Sequence, residues 1–221
     1  MVGWRRCFPA PARRLNSTLG TVSNRTVYIK QTHVNESTLI DQARQGDEAA
    51  WSALVCQHQE AAFRLAYLLL GDADEAQDVA QEAFIRAFYA LGRFDPTRPL
   101  RPWLLTITAN LARNKRRAIG RYLAALGRWL QEKPDLVGPN PQDEHLQQGE
   151  AQALWQAVRC LSLADQEIIY LRYFLELSVA ETAEVANIAP GTVKSRLHRA
   201  LNRLRKIIAE EFPTLREERV G

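Results

Sequence analysis

Cysteine and histidine are scarce in this 221-residue chain, and neither is clustered. Cys7, Cys56 and Cys160 stand far apart with no paired spacing, which argues against a disulfide framework or a zinc site and fits the reducing cytoplasm. His33, His58, His145 and His198 are equally scattered. There is no HExxH, nucleophile elbow or Gly-rich phosphate loop, so the sequence calls for no cofactor, no metal and no catalytic residues. Long apolar runs are missing too. Leu68-Leu69-Leu70 falls far short of the roughly 20 residues that span a bilayer, and membrane insertion is not expected. The N-terminus, MVGWRRCFPAPARR, is basic but has no apolar stretch of the signal-peptide kind.

Charge and helix formers are abundant. The net charge is +4 and the pI about 9.1, which makes an acidic partner plausible without naming it. Strand formers are sparse while Ala, Leu, Arg, Glu and Gln dominate, so the expected fold class is all-α. Residues 1–35 mix Arg, Pro, Ser, Thr and Asn without periodicity and read as a disordered basic arm, either a tail without a specific role or a start placed too far upstream. From Ser37 apolar residues recur at helical spacing through Leu39, Ile40, Ala43, Trp51, Leu54, Val55, Leu65 and Leu69. Gly71 stops that run, and Asp72 caps a new helix reaching about Leu91. The three prolines between Gly92 and Pro102 predict a loop, with Trp103 opening a helix that ends near Arg117. Pro134, Gly138, Pro139, Pro141 and Gly149 give residues 131–149 linker composition. The organisation that follows is an arm (1–35), a first helical module (36–120), a flexible linker (121–149), a second module (150–212) and a tail (213–221). Helices in the second module are expected near 150–161, 164–175, 178–186 and 191–210.

Three helices carry unusual charge. On the 72–91 helix Asp74, Glu75, Asp78 and Glu82 share one face opposite Ala76, Ala80, Ala83, Phe84 and Ala87. No cation compensates that face within the helix until Arg86, so it reads as a docking surface for a basic partner, or as a solvated face with acids near the helix N-terminus. The helix after the loop carries Arg101, Arg113, Lys115, Arg116, Arg117 and Arg121 with no intervening acid. Four cations within five residues exceed what a helix C-terminus needs and point to phosphate binding. Near the C-terminus, Ser178 caps a short helix, Asn187-Ile188-Ala189 makes a turn, and Pro190 starts the next helix, which is helix-turn-helix geometry. Val193, Leu197, Ala200, Leu201, Leu204 and Ile208 form the inner stripe of that last helix. Ser195, His198, Arg199, Asn202 and Lys206 face outward, flanked by Lys194, Arg196, Arg203 and Arg205. Thr192 to Lys206 contains no acid, as expected of a helix that reads the major groove.

These strings together resemble the ECF (extracytoplasmic function) group of the sigma-70 family of RNA polymerase initiation factors, over residues 37 to about 208. The first module shows LIDQARQGDEAAW, LLGDADEAQDVAQEAF, RFDP and WLLTITANLARNKRR; the second shows LSLADQEIIYLRYFLELSVAETAEVANI and GTVKSRLHRAL. The resemblance implies two modules, region 2 and region 4, and no enzymatic activity. It assigns Asp74, Asp78, Gln81 and Glu82 to the surface that docks on the clamp helices of the polymerase largest subunit, with region 4 on the flap. It assigns loop 92–101 and Arg101, Asn110, Arg113 and Arg117 to the −10 promoter element. It assigns Lys194, Ser195, Arg196, His198, Arg199 and Arg203 to the −35 element. An anti-sigma factor is a further implied partner. Pro102 and Asn114 depart from the common pattern and bear on −10 selectivity. Two rivals remain on the residues alone: a stand-alone helix-turn-helix regulator, and a metal-dependent nuclease using Asp72, Asp74 and Asp78.

Overall fold

The computed structural model describes residues 35–130 and 150–212. Residues 1–34 of the expected arm, residues 131–149 of the expected linker and the tail from 213 lie outside the described residues, while residues 121–130, expected as linker, are helical. Among the described residues every regular element is helical. The first module comprises α1 (Glu36–Arg44), α2 (Glu48–Leu70), α3 (Ala73–Ala90) and α4 (Leu100–Leu130). The second comprises α5 (Glu150–Arg159), α6 (Leu163–Ile169), α7 (Val179–Ala186) and α8 (Pro190–Glu211).

Local chemistry sets most of the boundaries. The Asp47 carboxylate accepts the Ala49 and Ala50 N–H groups at the start of α2, and Gly71 ends that helix at φ 75°, the left-handed region open to glycine. Asp72 caps α3 by accepting the Glu75 N–H at 2.8 Å. Ser178 and Glu181 make a reciprocal capping box on α7. Asn187 at φ 54° turns the chain into α8, which begins on Pro190. One expectation fails at each end of α4. The helix begins at Leu100 and takes Pro102 into its first turn, where the missing N–H would have had no intrahelical partner. It continues past Arg117 to Leu130, because charged residues that look like an ending are also good helix formers and no proline stops them.

Packing follows from the apolar stripes. Ala76, Ala80, Ala83 and Ala87 line the inner face of α3, and their small side chains let it approach α2 and α4 closely around Phe84, Leu104 and Val55. Ile40, Ala43, Leu54, Leu91, Phe94 and Leu100 form a smaller cluster under α1. Ile168, Ala183 and Val193 join α6, α7 and α8 into the helix-turn-helix. After α6 the chain makes one π turn (Tyr170–Phe174), and Glu176 at φ 54° bends it so that the Leu177 N–H reaches the Leu171 carbonyl at 3.0 Å.

The two modules do not stand apart. One buried cluster contains Leu65, Leu69, Leu105, Ala109 and Ala112 of the first together with Leu171, Leu175, Leu177 and Val185 of the second. α4 lies along α7, and the π turn abuts α2. Sequence periodicity identifies the apolar stripes but not this partner, since Leu105 and Ala109 would be equally satisfied by any apolar surface.

Candidate nucleic-acid and partner interfaces

On α3, Asp74 and Asp78 are exposed, and Gln81 and Glu82 are half-buried beside them. The helix therefore presents all four on its outer side, with the alanine stripe turned inward. Two contacts qualify the acid-only reading of this face. Glu82 accepts from Arg86 at 2.7 Å one turn on, a pair open to solvent and worth little by itself. Glu75 is bridged by Lys115 of α4, whose amine is held above its usual range by Glu75 first, with Asp78 and Asp72 adding to the field. The compensating cation comes from another helix, out of reach of a reading of α3 alone.

The cations of α4 are divided among different tasks. Arg117 is exposed and, among the described residues, bonds within its own helix to Asn114 and the Arg113 carbonyl, while Asn110 is exposed next to Arg113. Arg116 is half-buried and donates to the Leu69 carbonyl at 3.3 Å; burial pushes its guanidinium below the usual range. Arg101 and Arg113 face the second module. Arg101 donates to the Leu175 carbonyl at 2.9 Å. Arg113 donates to the Val185 and Ala186 carbonyls at 3.1 and 3.5 Å and lies 3.2 Å from the Glu167 carboxylate. In the loop before α4, Arg98 pairs with Glu184 of α7 at 2.6 Å. Two of the expected phosphate-binding cations, Arg101 and Arg113, are thus occupied by groups of the second module, while Lys115 and Arg116 are held within the first. Glu167 is buried, and that burial holds its carboxyl above the ordinary carboxylate range even though Arg113, Arg116 and Arg196 pull it down. Glu167 and Glu184 were not singled out by sequence reasoning; both sit in ordinary helical patterns, and only the packing of α4 against α6 and α7 shows what they meet.

α8 carries its outer face as expected. Val193, Ala200 and Leu204 are buried, whereas Lys194, Ser195, His198 and Arg199 are exposed and Arg196 is half-buried. Asn202 and His198 hydrogen-bond at 3.0 Å, and the Arg199 Nε donates back to the Ser195 carbonyl at 3.3 Å. These contacts are weak and exposed, so the groups are available to another partner. Arg203 differs. Its guanidinium grips Asp165, a carboxylate only 4% exposed at the start of α6. Truncating Arg203 therefore removes a strut as well as a surface charge. We expect Arg203→Ala to destabilise the chain by about 1–3 kcal/mol, since a buried carboxylate loses its partner but the pair is half open to water. Thermal melts of Arg203→Ala and of Arg203→Ala with Asp165→Asn check this: the double variant should recover part of the loss, and a single variant melting like the parent would refute the strut.

Family models cover both modules. Sigma-70 region 2 matches residues 54–122, and sigma-70 region 4 matches residues 151–204. The ECF RNA polymerase sigma factor SigW of Bacillus subtilis is 35% identical over 174 residues, covering 76% of this chain and 93% of its own length. The RNA polymerase sigma-H factor of Pseudomonas aeruginosa is 32% identical over 193 residues, covering 84% and 98%. Among solved structures, the sigma factor RpoE in complex with the anti-sigma factor NepR from Bartonella quintana superposes with a TM-score of 0.58 at 26% identity, covering 72% of this chain and 96% of that one. The two matched regions fall on the two helical modules, in that order along the chain. The chain belongs to the ECF group of the sigma-70 family and directs promoter-specific transcription initiation by RNA polymerase.

Proposed function

We propose a division of labour within that activity. The α3 face formed by Asp74, Asp78, Gln81 and Glu82 docks on the clamp helices of the polymerase largest subunit. Loop 92–101 with Arg101, Asn110, Arg113 and Arg117 engages the −10 element. Lys194, Ser195, Arg196, His198, Arg199 and Arg203 of α8 engage the −35 element as duplex. The observation that carries this reading is the cationic outer face of α8, free of acids from Thr192 to Lys206 and mounted on the buried stripe of a helix-turn-helix. Ser195, His198 and Arg199 lie near the helix N-terminus, the end that enters the groove, and Arg199 suits a guanine through two hydrogen bonds. Lys194 and Arg196 flank that face and meet phosphates, which positions the helix without specifying sequence.

The test is a set of binding isotherms on point-substituted −35 duplexes at several salt concentrations. Arg199→Ala should cost about 1–3 kcal/mol on the preferred sequence and relax selectivity at one position. Lys194→Ala should weaken every duplex alike and reduce the salt slope by about one unit. Equal weakening of all duplexes by Arg199→Ala would overturn the split between reading and positioning.

Arg101 and Arg113 cannot serve the −10 element while the second module holds them, so the modules part before that face takes DNA. Carboxylates and carbonyls of the second module stand where phosphates and base edges would be. The chain acts in the bacterial cytoplasm, as a binding subunit rather than an enzyme, with synthesis left to the polymerase. The nuclease alternative is weakened by Asp72, whose carboxylate is committed to the α3 N-terminus. The stand-alone regulator leaves the acidic face of α3 without a use. An anti-sigma factor is a natural further partner, because the Bartonella quintana relative is solved with one.

A further inference from the structure

The loop 92–99 is held at its two ends, and its exposed tip meets the second module through the Arg98–Glu184 pair. Leu91, Phe94 and Leu100 are buried, whereas Asp95, Thr97, Arg98 and Pro99 are exposed. The tip keeps its own shape. Asp95 accepts from the Thr97 N–H and hydroxyl at 3.0 and 2.8 Å, and the Arg98 N–H donates to the Asp95 carbonyl at 3.1 Å.

Both ends are tied to α1, which contributes no residue to any of the proposed contact faces. At the first end the Arg44 guanidinium donates through Nε to the Leu91 carbonyl at 3.0 Å and through Nη2 to the Phe94 carbonyl, while Nη1 is steadied by Asp41 at 3.3 Å. At the second end the Glu36 carboxylate accepts the Leu100 N–H at 3.1 Å, one of the unpaired donors at the start of α4, and takes His58 on its other oxygen at 2.9 Å. The His58 hydrogen bond, more than any other contact, holds the Glu36 carboxyl below its usual range. Beneath these polar ties, Ile40 and Ala43 of α1 share a cluster with Leu91, Phe94 and Leu100. Phe94 leans on Trp103 with ring centroids 4.7 Å apart, which links the loop to the first turns of α4.

We infer that α1 is a positioning element for −10 recognition, with Arg44 and Glu36 as the positioning residues that fix where the loop tip and the start of α4 stand. The inference rests on the assignment of loop 92–101 to the −10 element. Neither residue touches the tip, so their effect passes through the two anchored ends. Arginine is required at position 44 by shape as well as charge. Its planar fork spans two carbonyls three residues apart, whereas a lysine ammonium is a single point that can satisfy one of them at a time.

The experiment uses the full chain reconstituted with core polymerase, reading transcripts from promoters that carry single substitutions at −10 or at −35. Arg44→Lys and Glu36→Ala should each shrink the spread of activities among −10 variants by about tenfold, the weight of one good base contact. The spread among −35 variants and the affinity for core should not change. Glu36→Gln, which keeps one acceptor oxygen, should fall between Glu36→Ala and the parent. Hydrogen exchange at the Leu100 amide should quicken in Glu36→Ala. If Glu36→Ala does not fold, Arg44→Lys carries the test. Equal loss of −10 and −35 discrimination, or a fall in core affinity, would mean a merely structural helix and would overturn the inference. Thr97→Ala and Arg98→Ala at the tip separate the two layers. If the tip variants change −10 discrimination and the α1 variants do not, the positioning role is wrong. If the tip variants leave it untouched, the assignment of the loop is wrong.

Discussion

Joining the two modules covalently in the arrangement seen here should abolish promoter-specific transcription. Arg98 and Glu184 meet at 2.6 Å across the seam, so cysteines at these positions bring their thiols within reach of a short bifunctional maleimide. Cys7, Cys56 and Cys160 would first be changed to serine. The comparison is between the cross-linked chain and the same Arg98→Cys, Glu184→Cys variant left open, which removes the effect of the substitutions themselves. Run-off transcription from the cross-linked form should drop by about tenfold or more, because no DNA-competent population remains for core and promoter to select. The physical reason lies beneath the cross-link. Arg113 is engaged by Glu167, Val185 and Ala186, and Arg101 by Leu175, so both arginines stay occupied while the seam is shut. Equal transcription from the two forms would show that the seam need not open.

Reversing charge at Asp78 and Glu82 together should reduce affinity for core polymerase by about thirtyfold, a loss of about 2 kcal/mol typical of a central interface contact. Stability should change by less than about 0.5 kcal/mol, since Asp78 is exposed and the Glu82–Arg86 pair is open to water. The two outcomes are measured separately, by titration of labelled chain with core enzyme and by denaturant unfolding. Unchanged core affinity in the Asp78→Lys, Glu82→Lys variant would remove α3 from the docking surface. A large loss of stability would instead assign the two acids to the fold, the least expected result given that Lys115 bridges Glu75 rather than either of them.

Much of the molecule was legible because its signals are local. Gly71, Asp72, Ser178, Asn187 and Pro190 each act on backbone groups within a few residues, through a left-handed turn, a side-chain cap or a preset φ, and each sits in the structure where that chemistry places it. The helix-turn-helix and the outward face of α8 follow from the same periodicity, since a buried Val193, Ala200 and Leu204 leave Ser195, His198 and Arg199 nowhere but outside. The end of α4 was misplaced because a run of arginines marks a helix C-terminus only weakly and extends a helix just as readily.

What one helix does to another was decided by tertiary structure. Lys115 pairs with Glu75, Arg203 with Asp165, Arg113 with Glu167 and Arg98 with Glu184, the shortest of these separations being the 38 residues between Arg203 and Asp165. Arg44 and Glu36 reach the loop ends across 47 to 64 residues. A sequence specifies by local rules that a cation is outside a helical stripe, but a charge attracts any opposite charge that folding brings near it. For Arg98 and Arg113, which one arrives depends on the packing of Leu65, Leu105 and Ala109 against Leu171, Leu175 and Val185, a contact between apolar surfaces with no direction of its own. Sequence thus determined the helices, their caps and the faces they offer, while the closure of the two modules over the arginines of α4 is a property of the assembled core.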